Sequence, residues 1–252
     1  MRKVYSLSIL AGLLLAVSGC RANTASNSAA VSHPESAASN SPMSGEPGGK
    51  SSTGTATRET VSKPAHSDDS RPLLVCFGDS LTAGLGTEPG QSYPDYLQTD
   101  LDKLHYHYRV DNEGVSGNTT KDGVERLPNI LALHPAVVVV EFGGNDGLRG
   151  LRVEDTRENL DEIVGTLKRA GIKVALAGIT LPPDYGEDYI QKFNETYIVI
   201  AKKYGVPMLP FLLKGVYGVP GMMQRDETHA TAKGNAIVAR NVVPLVLPLL
   251  KK

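Results

Sequence analysis

The chain has 252 residues and a formal net charge of −1, enough length for one or two domains and too little charge for nucleic-acid binding through a basic stripe. Its 2 cysteines exclude a disulfide framework, and no Cys/His cluster has the spacing of a metal site.

Arg2 and Lys3 precede the apolar run VYSLSILAGLLLAV, which ends in Ser18-Gly19-Cys20. A basic start, a short apolar stretch and small residues describe a secretory signal. The run is shorter than the roughly 20 residues a spanning helix needs. Val17-Ser18-Gly19-Cys20 resembles a bacterial lipobox, in which the cysteine is lipidated and becomes the first residue. The other reading is a plain signal peptide with an incidental cysteine. Bacterial lipoproteins of this pattern carry two or three acyl chains, and stable anchoring needs at least two. Arg21 stands where an inner-membrane retention signal has Asp. The expected location is therefore the outer membrane, facing the periplasm, in a cell that has one. Residues 1–19 are expected to be the signal peptide, and 20–70 the lipidated cysteine and a tether. The tether is rich in Ser, Ala, Gly and Pro and lacks Leu, Ile and aromatic residues, so it cannot bury enough apolar surface to offset the entropy of ordering. His33 and His66 fall there as solvated spacer residues.

Residues 71–252 are expected to form one domain. PLLVCF (72–77) is short, apolar and followed by Gly, as a buried parallel strand would be. Cys76 within it reads as a buried small hydrophobe. Residues 93–104 carry Tyr96, Leu97, Leu101 and Leu104 at helical spacing, and 106–114 read as a second strand. Residues 122–133 are a helix that Pro128 is expected to split or kink. AVVVVEFGG (136–144), with four consecutive valines, is the strongest strand signal. A helix over 154–170 places Leu160, Ile163, Val164 and Leu167 on one side. A strand over 172–181, a helix over 189–204, a short strand over 206–209 and a helix from 234 toward 249 complete the chain. Strands alternating with helices imply a parallel sheet covered on both faces, with ligands outside the carboxyl ends of its strands.

Polar clusters follow three of those strands: Gly78-Asp79-Ser80, Gly114-Val115-Ser116-Gly117-Asn118 and Gly143-Gly144-Asn145-Asp146. A fourth, Asp226-Glu227-Thr228-His229, precedes the last helix. Taken alone, Asp79-Ser80 is as readily a polar turn or helix cap as a nucleophile. Acyl transfer by serine needs a base, a carboxylate to orient that base, and donors for an oxyanion. His229 is the best base available, because only it has a carboxylate, Asp226, three residues earlier in a loop-like stretch. His105 and His107 flank a strand start, and His134 ends a helix, where a cationic side chain is favourable anyway. The competing reading of 226–229 is an Asp helix cap beside an exposed His. The Ser80 N–H at a helix start, the Gly117 N–H and the Asn145 side chain are candidate oxyanion donors, against simple turn roles for the glycines.

GDSLTAG, the Gly of GVSGNTT, GGNDGLRG and the D-x-x-H of DETH, in that order, resemble the four sequence blocks of the SGNH, or GDSL, serine hydrolases. GGNDGLRG, LPPDYG and VPMLPFLLKGVYGVPGMMQ are similar to the branch of bacterial multifunctional acyl-thioesterases, esterases and lysophospholipases. The resemblance implies Ser80 as nucleophile, His229 as base and Asp226 as its orienting acid. It implies an oxyanion hole of the Ser80 N–H, the Gly117 N–H and the Asn145 amide. It also implies a flavodoxin-like three-layer α/β/α sandwich with a parallel sheet of about five strands and no metal cofactor; no other cofactor is expected, and the protein is expected to be a monomer. Glu227 and Ala230 stand where the last block commonly has Gly and Pro, which is expected to alter the loop more than the catalytic pair.

The expected activity is hydrolysis of carboxylic esters through an acyl-serine. Short- to medium-chain acyl or aryl esters, lysophospholipids and acyl thioesters are the substrate candidates. Leu148, Tyr185 and the 216–223 segment beginning at Val216 are expected to border the acyl pocket, from the layout of the branch, with plain core packing as the competing reading. A carbohydrate O-acetylesterase is the alternative within enzymes, and a non-catalytic envelope-binding lipoprotein the alternative outside them.

Overall fold

The computed structural model describes residues 69–252. The expected signal peptide, the lipidated Cys20 and most of the tether lie outside the described residues. Five strands pair into one all-parallel sheet: β1 Leu73–Gly78, β2 Arg109–Gly114, β3 Val137–Glu141, β4 Lys173–Ala177 and β5 Met208–Leu209. Their order is β2-β1-β3-β4-β5. β1 and β3 are buried from end to end, which suits their continuous apolar sequence at the centre of a sheet covered on both faces. β2 lies at an edge and is only half-buried, which is why RVDNEG can form a strand without an apolar run.

Seven helices accompany the strands in the described chain: α1 Ser80–Ala83, α2 Tyr93–Lys103, α3 Thr120–Ala132, α4 Gly144–Leu148, α5 Val153–Arg169, α6 Glu187–Tyr204 and α7 Ala232–Val246. α2 packs on α7, while α5 packs on both α3 and α6, giving the two helical layers of an α/β/α sandwich. Capping boxes start α2 (Ser92 with Asp95) and α3 (Thr119 with Asp122), satisfying backbone N–H groups that a helix start leaves without partners. Leu160, Ile163, Val164 and Leu167 of α5 are fully buried, as their spacing requires.

Several boundaries differ from the sequence reading. Pairing to β1 begins at Leu73 with Arg109, so residues 106–108 have no strand to lie against and stay in the connection. β4 stops at Ala177, because the Gly178 N–H turns to the Leu209 carbonyl and the Leu212 N–H to the Gly178 carbonyl. Pro128 neither splits nor ends α3; buried Leu127 and Ile130 anchor the helix on both sides of it. α7 likewise continues through Pro244.

After β1 the chain adds β2 on one side and then crosses to place β3 on the other. This reversal opens a crevice at the carboxyl ends of β1 and β3, where open α/β sheets bind their ligands.

Candidate active site

β1 runs directly into this crevice. Asp79 caps α1, its Oδ1 accepting the Leu81 N–H at 3.0 Å, and Ser80 is the first residue of that helix. The turn needs Gly78: a Cβ there would lie 2.6 Å from both the carbonyl and the Oε2 of Glu141. Ser80 is 8% exposed. Its Oγ lies 2.8 Å from His229 Nε2, and His229 Nδ1 lies 2.7 Å from Asp226 Oδ2. A carboxylate only accepts, so Nδ1 carries the imidazole proton and Nε2 accepts from the serine hydroxyl.

The loop that presents His229 is tied down locally. Met223 bridges Ala230, the Gln224 N–H donates to the His229 carbonyl, and Gln224 Nε2 donates to the carbonyls of Leu85 and Ala230. Asp226 Oδ1 accepts the backbone N–H groups of Thr228 and His229, each at 3.0 Å. Burial pushes the Asp226 carboxyl up, but the His229 side chain together with the two backbone donors outweighs it and holds the group at about 2. The N-cap of α7 is Thr231, so Asp226 organises the turn and faces the imidazole with one carboxylate, without capping the helix. Glu227 adopts a left-handed φ of 54°, the conformation a glycine would supply freely. Replacing that glycine leaves the Asp226–His229 pair in contact at the expense of backbone strain.

The other side of the crevice comes from β2 and β3. Gly143, at φ 117°, turns the chain into α4 and brings up Asn145, whose Nδ2 donates to the Asn118 carbonyl at 2.9 Å and to Asp79 Oδ2 at 3.2 Å. Gly117, at φ 82°, borders the same cavity as Ser80 and Asn145. Arg126 of α3 gathers the loop: it donates to Asn118 Oδ1 at 2.9 Å and to the Glu113 carbonyl at 2.7 Å, and packs over the Phe77 ring. Asp146, buried beside Asn145, accepts from the Thr120 N–H at 2.9 Å and from its hydroxyl at 2.5 Å, pinning α4 to α3.

Ser80, Gly117, Asn145 and His229 line one cavity of about 330 Å³. Its walls are apolar, with Leu85, Leu148, Ile179, Leu181, Phe211 and Tyr217 among them. Leu148 is one of these lining residues. Tyr185 is not part of the lining; its hydroxyl donates to the Leu148 carbonyl at 2.9 Å. Val216 is fully buried, and the wall is made by its neighbour Tyr217. The structural roles of Arg126, Asp146 and Glu141 escaped the sequence reading. For Glu141 a signal existed: a carboxylate ending a run of four valines must be buried with them.

A serine, a histidine and an aspartate in hydrogen-bonded series, at the switch point of a parallel α/β sheet, define a serine hydrolase of the flavodoxin-like architecture. Residues 76–237 match the profile of the GDSL-like Lipase/Acylhydrolase family, and the chain belongs to that family. It is similar to Esterase TesA of Pseudomonas aeruginosa, 42% identical over 178 residues that cover 70% of this chain and 89% of that protein. Thioesterase 1/protease 1/lysophospholipase L1 of Escherichia coli K12 is 36% identical over 178 residues, covering 70% and 84%. A solved structure titled Crystal Structure of TesA superposes with a TM-score of 0.69 at 42% identity, covering 71% of this chain and 99% of that one.

Proposed function

We propose that the protein is a carboxylic ester hydrolase that works through an acyl-Ser80 intermediate, with short- to medium-chain acyl or aryl esters as its preferred substrates and lysophospholipids and acyl thioesters within reach of the same site. The observation that carries this reading is the Ser80–His229–Asp226 series at 2.8 and 2.7 Å, opening into an apolar cavity. Ser80 Oγ attacks the carbonyl carbon as His229 Nε2 takes its proton. The negative charge on the tetrahedral oxygen is met by the N–H groups of Ser80 and Gly117 and by Asn145 Nδ2, which turns one of its two protons from the Asn118 carbonyl to the oxyanion and keeps the other on Asp79 Oδ2. The imidazolium, stabilised by Asp226, returns the proton to the leaving alcohol or thiol. Water, deprotonated by His229, then releases the acid and restores the serine. The apolar walls favour a hydrocarbon acyl group over the acetyl group of a carbohydrate ester.

A series of p-nitrophenyl esters from acetate to palmitate tests the reading. Activity is expected to peak at butyrate or longer and to vanish in Ser80→Ala. Activity confined to acetate would favour the O-acetylesterase reading, and a folded protein inert toward every ester would contradict hydrolysis altogether.

A further inference from the structure

Behind the nucleophile sits a second acid that the reaction does not use. Glu141, the last residue of β3, is 0% exposed. Its Oε2 accepts from the Thr82 hydroxyl at 2.8 Å and from the Asp79 N–H at 3.4 Å. Thr82 Oγ1 in turn lies 3.2 Å from the Tyr93 hydroxyl. Glu141 Oε1 is buried without a donor to accept from among the described residues. A buried carboxylate oxygen in that state is costly, and a proton on it removes the cost. The neighbouring carboxylate is that of Asp79, whose own N–H the Glu141 side chain already accepts and whose charge acts on it.

We propose that Glu141 is a positioning residue: it stays protonated, donates to the Asp79 carboxylate, and so fixes Asp79 where it caps α1 and holds the Asn145 amide in place. The inference rests on Asn145 serving as an oxyanion donor. Asp79 is the hub of the arrangement, with Oδ1 on the Leu81 N–H and Oδ2 on Asn145 Nδ2 at 3.2 Å. Two ionised carboxylates could not share this space, so the pair carries one proton between the ionisation of Asp79 and that of Glu141. Burial lifts Asp79 to about 6, and burial with the Asp79 charge lifts Glu141 well above its usual range. The other titratable groups packed around Glu141 stay neutral: burial pushes Cys76 up to about 12, and Tyr93 and Tyr197 well above theirs. His229 and Asp146 act on the Asp79 end, the first favouring its charge and the second opposing it.

The test is a double-mutant cycle between Glu141 and Asn145 on a p-nitrophenyl ester, with thermal midpoints as a folding control. Glu141→Leu is expected to lower kcat on the order of 10- to 100-fold with KM within about twofold. The same change in an Asn145→Ala background is expected to cost less than about threefold, because its effect runs through that amide. Glu141→Gln, which keeps a donor toward Asp79, is expected to stay within about threefold of the parent. Equal losses in both backgrounds would overturn the proposal while leaving the oxyanion reading intact. An Asn145→Ala variant with unchanged kcat would remove that reading and the proposal with it. If Glu141→Leu does not fold, the pH profile of Glu141→Gln decides. The parent is expected to lose kcat on the alkaline side as Glu141 ionises beside Asp79, and the Gln variant to stay flat there. Parallel profiles would overturn the proposal.

Discussion

Asp226 shows how one residue serves both fold and chemistry. Its Oδ1 closes the turn of its own loop and its Oδ2 faces the imidazole. An amide at this position would offer a donor where His229 Nδ1 needs an acceptor, and the ring would settle in the wrong tautomer. Asp226→Asn is therefore expected to lower kcat by roughly 10³- to 10⁴-fold with a small change in KM, read from steady-state ester hydrolysis. The carboxyl is held at about 2, below its usual value. A group depressed in the folded state contributes stability that is present above its unfolded pKa and is lost as pH falls through the folded one. Thermal stability is thus expected to decline between about pH 4 and pH 2, with a shallower decline in Asp226→Asn. Equal acid slopes in the two proteins would sever this link between the turn and the ion pair.

The residues that chemistry demands are easier to see in a sequence than those that place them. Ser80, Asn145, Asp226 and His229 stand in short blocks directly after strands or before a helix, where spacing and residue type speak together. Arg126 sits in mid-helix, and nothing local marks it as the side chain that ties Asn118 to the end of β2. At the scale of elements the same division holds. The valines of β3 and the apolar stripe of α5 declare themselves, because their period reports burial. The start of β2 depends on where its partner strand begins, and the end of β4 on a turn toward residues 209–212, both long-range facts. Pro128 misleads for a related reason: tertiary packing outweighs the local cost of a proline. Arg126→Met keeps an unbranched apolar side chain and removes the guanidinium, with its contact to the Phe77 ring and its hydrogen bonds to Gly78, Asn118 and Glu113. It is expected to lower kcat about tenfold or more through a displaced 115–118 loop, with KM little changed. Loss of kcat below twofold would mean that the loop holds its shape without α3.

At the scale of the molecule, the fold brings residues that are 149 positions apart, Ser80 and His229, into one hydrogen bond. No single block of sequence contains that fact; it follows from the strand order, which gathers the ends of β1 and β3 at the crevice where the loop before α7 arrives. The cavity walls were the least legible part, because an apolar residue on a loop reads alike whether it lines a pocket, as Tyr217 does, or fills the core, as Val216 does. This assembly makes one serine hydroxyl nucleophilic. The most direct test is the intact mass of the protein after exposure to an alkyl fluorophosphonate, followed by peptide mapping. A single adduct is expected on Ser80, abolished in Ser80→Ala and slowed at least about a hundredfold in His229→Ala. Labelling spread over several hydroxyls, or equally fast in the His229 variant, would contradict it.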